Sequence, residues 1–271
     1  MTLREAIKIL SDGGVENAAY DARELFSAIC GTSRSELVSL DISSNSVALA
    51  DAIKRRAKRE PLQYIIGEVG FYREAYTVSP ACLIPRADTE LLVDYAVKHI
   101  PSGECFIDLC TGSGCVAIST LKNTRDTRAV AVDISNAALE IARINAERNG
   151  VSERLALMES NALGEPVTDR CFAVLSNPPY VTEAAYRELM PEIYFEPRIA
   201  FVGGEDGLDF YKNITWIYRN IISDDGFIAY EIGYDQGDAL RKIADELSMT
   251  AEILKDYSGN DRVAVLKKGN A

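Results

Sequence analysis

From residue 105 onward, short apolar runs alternate with stretches of helical spacing. Runs over 105–110, 128–133, 155–158, 172–176 and 227–232 are dense in Val, Ile, Leu, Phe and Ala. They read as buried strands, and the stretches after them, such as 136–148 ahead of Gly150, carry apolar residues three and four apart. Strands joined through helices pair in parallel, with the crossovers covering the sheet. The pattern predicts an α/β fold with a helix after each of these strands. The end of the chain differs. Runs over 250–254 and 262–266 flank Gly259-Asn260, so an antiparallel hairpin is expected to close the sheet.

The fourth run ends in Ser176-Asn177-Pro178-Pro179-Tyr180. Two prolines cannot donate to a ladder and fix φ, so the strand must stop there. A stiff loop at the C-terminal end of a strand lies where open α/β sheets place their chemistry. Asn177 has an amide that donates and accepts, Pro178 leaves a bare carbonyl, and Tyr180 offers a ring and a hydroxyl. A planar –NH2 group could give one hydrogen to the Asn177 side-chain oxygen and one to the Pro178 carbonyl. That would hold an amide or an exocyclic amine in a fixed plane with one face open to an electrophile.

The first strand runs into Asp108-Leu109-Cys110-Thr111-Gly112-Ser113-Gly114-Cys115, and Asp133 ends the second. Gly112 and Gly114 allow a close approach of backbone to ligand, and a carboxylate at Asp133 can take both hydroxyls of a ribose. The same spacing fits NAD and S-adenosylmethionine. Two features favour the second. Asp108 would repel a pyrophosphate but suits an α-amino group, and the Asn-Pro-Pro-Tyr loop has no part in hydride transfer. Asn161, beyond the third strand, is placed to meet an adenine edge.

Residues 1–60 read as a small helical bundle. Thr2 and Glu5 form a capping box, as do Ser33 and Glu36, and helices are expected near 3–12, 17–30 and 46–60, the last closed by Pro61. Residues 61–86 are rich in β-formers, including Tyr64-Ile65-Ile66, and predict a hairpin linker. Asp88 or Thr89 is the expected N-cap of the next helix. The bundle carries no catalytic constellation, which suits it to holding a partner. The 271 residues carry a net charge of −12, which argues against a large nucleic-acid footprint. The one basic run, Lys54-Arg55-Arg56-Ala57-Lys58-Arg59, is read as a solvated last helical turn. Six cysteines without a CxxC pair imply reduced, buried thiols and no metal site. The single histidine, His99, is expected to be exposed at a helix end, far from any motif. No stretch has the length of a membrane span, and the N-terminus lacks a signal-peptide pattern, so a cytoplasmic location is expected.

Several segments together resemble the HemK family, the peptide chain release factor glutamine-N5 methyltransferases. They are Pro61-Leu62-Gln63-Tyr64-Ile65-Ile66-Gly67, Leu83-Ile84-Pro85-Arg86, 108–114, 176–180, Glu196-Pro197 and 203–209. The resemblance spans nearly the whole chain. It implies a Rossmann-like S-adenosylmethionine-dependent methyltransferase sheet over 87–271, a β-hairpin linker over 61–86 and a substrate-docking helical bundle over 1–60. It implies cofactor binding by Asp108, Cys110, Thr111, Gly112, Ser113, Gly114, Asp133, Asn161 and Ala162, with Asn177 alongside. It also implies that Asn177, Pro178, Pro179 and Tyr180 hold the substrate glutamine of class I release factors, Asn177 being catalytic, in a monomeric enzyme. The family usually has glycine at Cys110, a large residue at Ala162 and Pro-Glu at Ala87-Asp88. Ala162 implies looser adenine packing. The rival assignments are a nucleic-acid amino methyltransferase, acting on adenine N6 or guanine N2, and a non-catalytic cofactor-binding sensor.

Overall fold

The computed structural model describes residues 1–33 and 35–269. They form two units: Met1–Glu68 with Met190–Phe195, and Val69–Leu189 with the chain from Glu196 on.

In the first unit, α1 (Leu3–Asp12), α2 (Ala18–Cys30), α3 (Val47–Ala57) and the short α4 (Leu62–Ile66) enclose Leu3, Leu10, Leu25, Phe26, Leu49 and Ile53. α1 begins with the expected capping box, Thr2 Oγ1 taking the Glu5 N–H and Glu5 Oε2 taking the Thr2 N–H. Ser33 and Glu36 make the same reciprocal pair, but it caps a single 3-10 turn, Glu36–Val38. Tyr64-Ile65-Ile66 has the composition of a strand, yet it is helical. Pro61 stands at the N-cap, and Gly67, at φ +82°, closes the helix in the left-handed region. This buries Leu62 and Tyr64, so local packing overrides β-propensity.

The basic run is not a solvated helix end. Arg56 is buried and gives Nε to Asp21 Oδ2 at 2.7 Å and Nη2 to Glu192 Oε1 at 3.0 Å. Arg59 forks onto the same Glu192, at 2.6 Å from Nε and 2.7 Å from Nη2. Arg55 pairs with Glu60, which leaves Lys54 and Lys58 as the exposed cations of the run. The charges are therefore spent on holding the 190–195 segment inside the bundle unit.

The second unit opens with the hairpin β1 (Glu68–Phe71) and β2 (Glu74–Thr77). It is no free linker over 61–86. Phe71 and Tyr76 are buried in the core of the sheet unit, and Tyr76 Oη lies 2.6 Å from Ser119 Oγ. There follow α5 (Glu90–His99), β3 (Cys105–Leu109), α6 (Cys115–Asn123), β4 (Arg128–Asp133), α7 (Asn136–Asn149), β5 (Leu155–Glu159) and β6 (Cys171–Ser176). The remaining elements are the short α8 (Glu183–Tyr186), α9 (Asp209–Tyr218), β7 (Ile222–Glu231), α10 (Gly237–Glu246), β8 (Met249–Lys255) and β9 (Asp261–Lys268).

One sheet runs in the order β5-β4-β3-β6-β7-β9-β8. Its first five strands are parallel, and β9 lies antiparallel between β7 and β8, as the Gly259-Asn260 turn predicted. Helices α5, α6 and α7 pack on one face and α9 and α10 on the other. One crossover departs from expectation: between β5 and β6 the chain makes turns and no helix. Cys105, at the start of β3, is exposed and not buried. His99 is exposed at the end of α5, stacked on Tyr95. Among the described residues no helix is long and apolar enough to cross a membrane.

Desolvation opposes the charge on Glu192, but the guanidiniums of Arg59 and Arg56 hold its carboxyl below the usual value of 4.5. Its stabilising effect is therefore present above about pH 4.5 and is lost as pH falls through the lowered folded-state value. Glu192→Gln leaves Arg59 with a weaker acceptor and is expected to cost about 1–3 kcal/mol at neutral pH. Thermal melts should show the gap between wild type and variant narrowing below about pH 4.5. A gap that widens there would contradict the ion-pair account.

Candidate active site

The strand order reverses between β3 and β6, since the chain goes from β3 outward to β4 and β5 and then returns to β6. Such a switch point opens a crevice at the carboxyl ends of the strands. Leu109 and Ser176 are register partners there, and Ser176 Oγ donates to the Leu109 carbonyl at 2.7 Å. The two sequence motifs therefore leave the sheet side by side. Neighbouring loops are stitched on in turn: Thr111 N–H donates to the Val132 carbonyl, and Ser160 N–H to the Asp133 carbonyl, both at 3.0 Å.

A cleft opens at this point. Its walls include Cys110, Gly112, Asp133, Asn161, Ala162, Asn177 and Pro179. Asp133 Oδ2 takes the Gly112 N–H and Oδ1 the Ser135 N–H, each at 2.9 Å. Desolvation raises its pKa, and these backbone donors oppose the rise. Asn161 Oδ1 is bound to the Leu163 N–H, so its amide –NH2 is the group left for a ligand. Ala162 is buried in the wall. The sequence did not point to the apolar remainder of that wall, Ile134, Leu83, Ile199 and Phe210. Ile134 carries a signal in retrospect: it is an apolar residue, 53% exposed, directly after the strand-ending carboxylate.

A smaller cavity adjoins the cleft, sharing Leu83, Cys110, Gly112 and Asn177, and is lined also by Asp108, Thr111, Ser113 and Arg86. Asp108 is buried, and its Oδ2 accepts from Thr111 Oγ1 at 2.5 Å and Ala117 N at 3.1 Å. Half of this carboxylate thus braces the glycine loop, and Oδ1 remains for the cavity. Burial pushes its pKa up to about 7, against the pull of the Thr111 and Ala117 bonds. Cys110 sits at φ +60°, a left-handed conformation in which glycine is easier. That accounts physically for the glycine expected at this position.

Asn177 Nδ2 donates to Thr89 Oγ1 at 3.2 Å. Thr89 is not the side-chain cap expected for α5; its hydroxyl donates to Glu231 Oε2 instead. Pro178 is buried, and among the described residues no hydrogen bond reaches its carbonyl. Tyr180 does not present its hydroxyl to the cleft: Oη donates to Glu231 Oε1 at 3.3 Å. Burial raises the pKa of this phenol.

The loop is backed by the 203–207 segment. A Cβ on Gly203 would stand 2.2 Å from the Pro179 carbonyl oxygen, and one on Gly207 2.2 Å from that of Tyr180. Only glycine lets these backbones meet. A second clasp is Glu196, which accepts the Ile84 N–H at 2.9 Å and pairs with Arg86. It ties Pro197 and Ile199 on one wall to the 83–86 segment on another. Burial raises the Glu196 pKa, opposed by the Arg86 charge. Among the described residues no group of His, Cys, Asp and Glu is arranged to hold a metal.

Comparison with known proteins agrees with both units. Residues 2–67 match the PrmC N-terminal domain and residues 87–195 the methyltransferase small domain. The chain is 36% identical over 274 residues to the release factor glutamine methyltransferase of Moorella thermoacetica, covering 97% of each. It is 39% identical over 237 residues to that of Geobacter sulfurreducens, covering 85% of this chain and 82% of the other. In fold it is similar to the ribosomal protein L11 methylase of Lactobacillus delbrueckii subsp. bulgaricus, with TM-score 0.53, 18% identity, and coverage of 71% of this chain and 84% of that one. On the strength of these full-length relatives, the chain belongs to the release factor glutamine methyltransferase family.

Proposed function

We propose that this enzyme transfers a methyl group from S-adenosylmethionine to the side-chain amide nitrogen of the glutamine in the Gly-Gly-Gln motif of class I release factors. The observation that carries the reading is the Asn177 amide. With Nδ2 held by Thr89, its Oδ1 is the free acceptor, one residue from the unbonded Pro178 carbonyl. Two acceptors so placed suit the two hydrogens of a primary amide.

The cleft suits the cofactor. Asp133 retains lone pairs for a ribose diol, the Asn161 –NH2 and the apolar wall with Ala162 suit an adenine, and Asp108 Oδ1 suits an α-amino group. Cys110, Thr111, Gly112 and Ser113 form the loop beneath, and Gly114 carries it into α6. The bound cofactor supplies a methyl group on a sulfonium, which needs no further activation.

An amide nitrogen is a poor nucleophile because its lone pair is delocalised. The residues of this site therefore act by orientation and exclusion of water more than by proton transfer. Asn177 Oδ1 and the Pro178 carbonyl fix the amide plane and draw on both N–H bonds, which raises electron density on nitrogen. As the N–C bond forms the carbon–sulfur bond would break and leave a neutral thioether; the nitrogen proton, acidic only then, would pass to water through the acceptor it already meets, so no base need act before attack. Pro179 and Tyr180 stiffen and back the loop. A glycine-rich substrate loop can enter a narrow site without side-chain clashes. Glutamine is preferred to a nucleobase because the chain carries −12 charge and the three arginines of its basic run are internally paired.

Two measurements follow. Enzyme and labelled cofactor, incubated separately with release factor, its Gln→Ala variant, duplex DNA and single-stranded RNA, should label wild-type release factor alone. Equal label on the variant, or efficient label on nucleic acid, would overturn the assignment.

The second concerns Asp108. In the free protein its raised pKa favours the neutral acid, so its contribution to stability is present at low pH and lost as pH rises through about 7. A cationic α-amino group favours the carboxylate. Affinity for S-adenosylmethionine should therefore rise from about pH 5.5 to about pH 7. Calorimetry should show proton release on binding in this range and a shallower rise for Asp108→Asn. A pH-independent affinity in wild type would contradict this placement of the α-amino group.

A further inference from the structure

Glu231 ends β7 behind the Asn177 loop, 2% exposed, in a strand whose last residues are otherwise apolar or aromatic. Its carboxylate takes two hydroxyls, Thr89 Oγ1 on Oε2 and Tyr180 Oη on Oε1. An ionised carboxylate only accepts, so each hydroxyl must spend its single proton on it. Thr89 Oγ1 then has only lone pairs to offer Asn177. The end of the Asn177 amide that faces Thr89 must be the –NH2, and the 3.2 Å contact is an Nδ2 donation. The carbonyl end, Oδ1, is turned the other way.

We propose that Glu231 and Thr89 are positioning residues for methyl transfer, acting through Asn177. The chain Asn177 Nδ2–H to Thr89 Oγ1–H to Glu231 Oε2 fixes which end of the amide meets the substrate. This rests on the reading of Asn177 as the group that grips the substrate amide. In the flipped state, Asn177 Oδ1 would face the Thr89 lone pairs, and its –NH2 would face the substrate –NH2. Acceptor would oppose acceptor at one end and donor would oppose donor at the other. Burial raises the Glu231 pKa, and the Thr89 bond and the Arg262 charge oppose that rise, so the relay acts where Glu231 is ionised.

Thr89 closes a 3-10 turn over 87–89 that runs straight into α5, with helical φ/ψ, so its hydroxyl caps no helix end and is available to this chain. Tyr180 completes the arrangement, since its bond to the other carboxylate oxygen holds the loop that carries Asn177 to the same anchor. Thr89, Glu231 and the loop that carries Asn177 and Tyr180 come from three parts of the second unit, and Thr89 and Tyr180 meet on the Glu231 carboxylate.

The test uses full-length enzyme with release factor as substrate. Thr89→Val removes the hydroxyl at nearly constant volume, Thr89→Ser keeps it, and Glu231→Gln replaces the obligate acceptor by a group that can also donate. Thr89→Val and Glu231→Gln should lower kcat by about tenfold or more, with the cofactor Kd within about threefold of wild type. Thr89→Ser should recover most of the kcat. Thr89→Val with normal kcat, while Asn177→Ala is inactive, would overturn the relay and leave the Asn177 reading standing. Near-normal turnover in Asn177→Ala would instead remove the reading on which the relay rests. A Thr89→Ser enzyme as impaired as Thr89→Val, both melting as wild type, would also overturn the relay, because it would show that bulk and not the hydroxyl matters.

Discussion

Two successive prolines at the end of β6 force the chain out of the sheet directly beside the loop that leaves β3. The rest of the site depends on that exit. Ser176, the last strand residue, ties it to Leu109 across the switch point. Asn177 is then held at a fixed place relative to Gly112 and Cys110, with which it shares both cavities. The glycines at 203 and 207 bring a second backbone against the loop, at a distance no side chain would permit. Rigidity here has a chemical purpose. A delocalised amide gains little from a base and much from a fixed plane, so a loop with few soft torsions suits the reaction.

The buried carboxylates divide the remaining work. Asp108 braces the glycine loop through Thr111 and Ala117 while keeping one oxygen for the cavity. Asp133 takes backbone donors on both oxygens at the rim of the larger cleft. Glu196 clasps two walls together through Ile84 and Arg86. Glu231 stands behind the Asn177 loop and collects the hydroxyls of Thr89 and Tyr180. Burial raises the pKa of each, and specific donors or a nearby cation oppose the rise; Asp108, raised to about 7, is mostly the neutral acid below that pH. In the bundle unit the same logic runs through Arg56 and Arg59, whose charges hold Glu192.

What was legible in the sequence was local. Asn177 to Tyr180, the 108–114 loop and Asp133 are each set by a few adjacent residues at a strand end; Asn177, Pro179, Asp108, Cys110 to Ser113 and Asp133 line the cleft and the cavity beside it, while Tyr180 turns its hydroxyl to Glu231. What was not legible depends on long-range partners. Thr89 and Glu231 are 142 residues apart, so spacing could not connect them, and Thr89 read as an ordinary cap. Arg56 read as solvated because its partners, Asp21 and Glu192, lie far along the chain on either side. The hairpin read as a linker because the burial of Phe71 and Tyr76 is provided by helices not yet met in the sequence. Tyr64-Ile65-Ile66 misled because β-branched composition outweighed the bracketing Pro61 and Gly67, which fix a short helix.

The account holds that Asn177 orients the substrate amide and contributes little to holding the cofactor. The most direct measurement is to compare, for Asn177→Ala, the single-turnover rate on release factor with the calorimetric affinity for S-adenosylmethionine. Loss of turnover with cofactor affinity within a few-fold of wild type is the predicted result. Retention of a near-normal rate, or loss of rate that merely follows loss of cofactor binding, would contradict it.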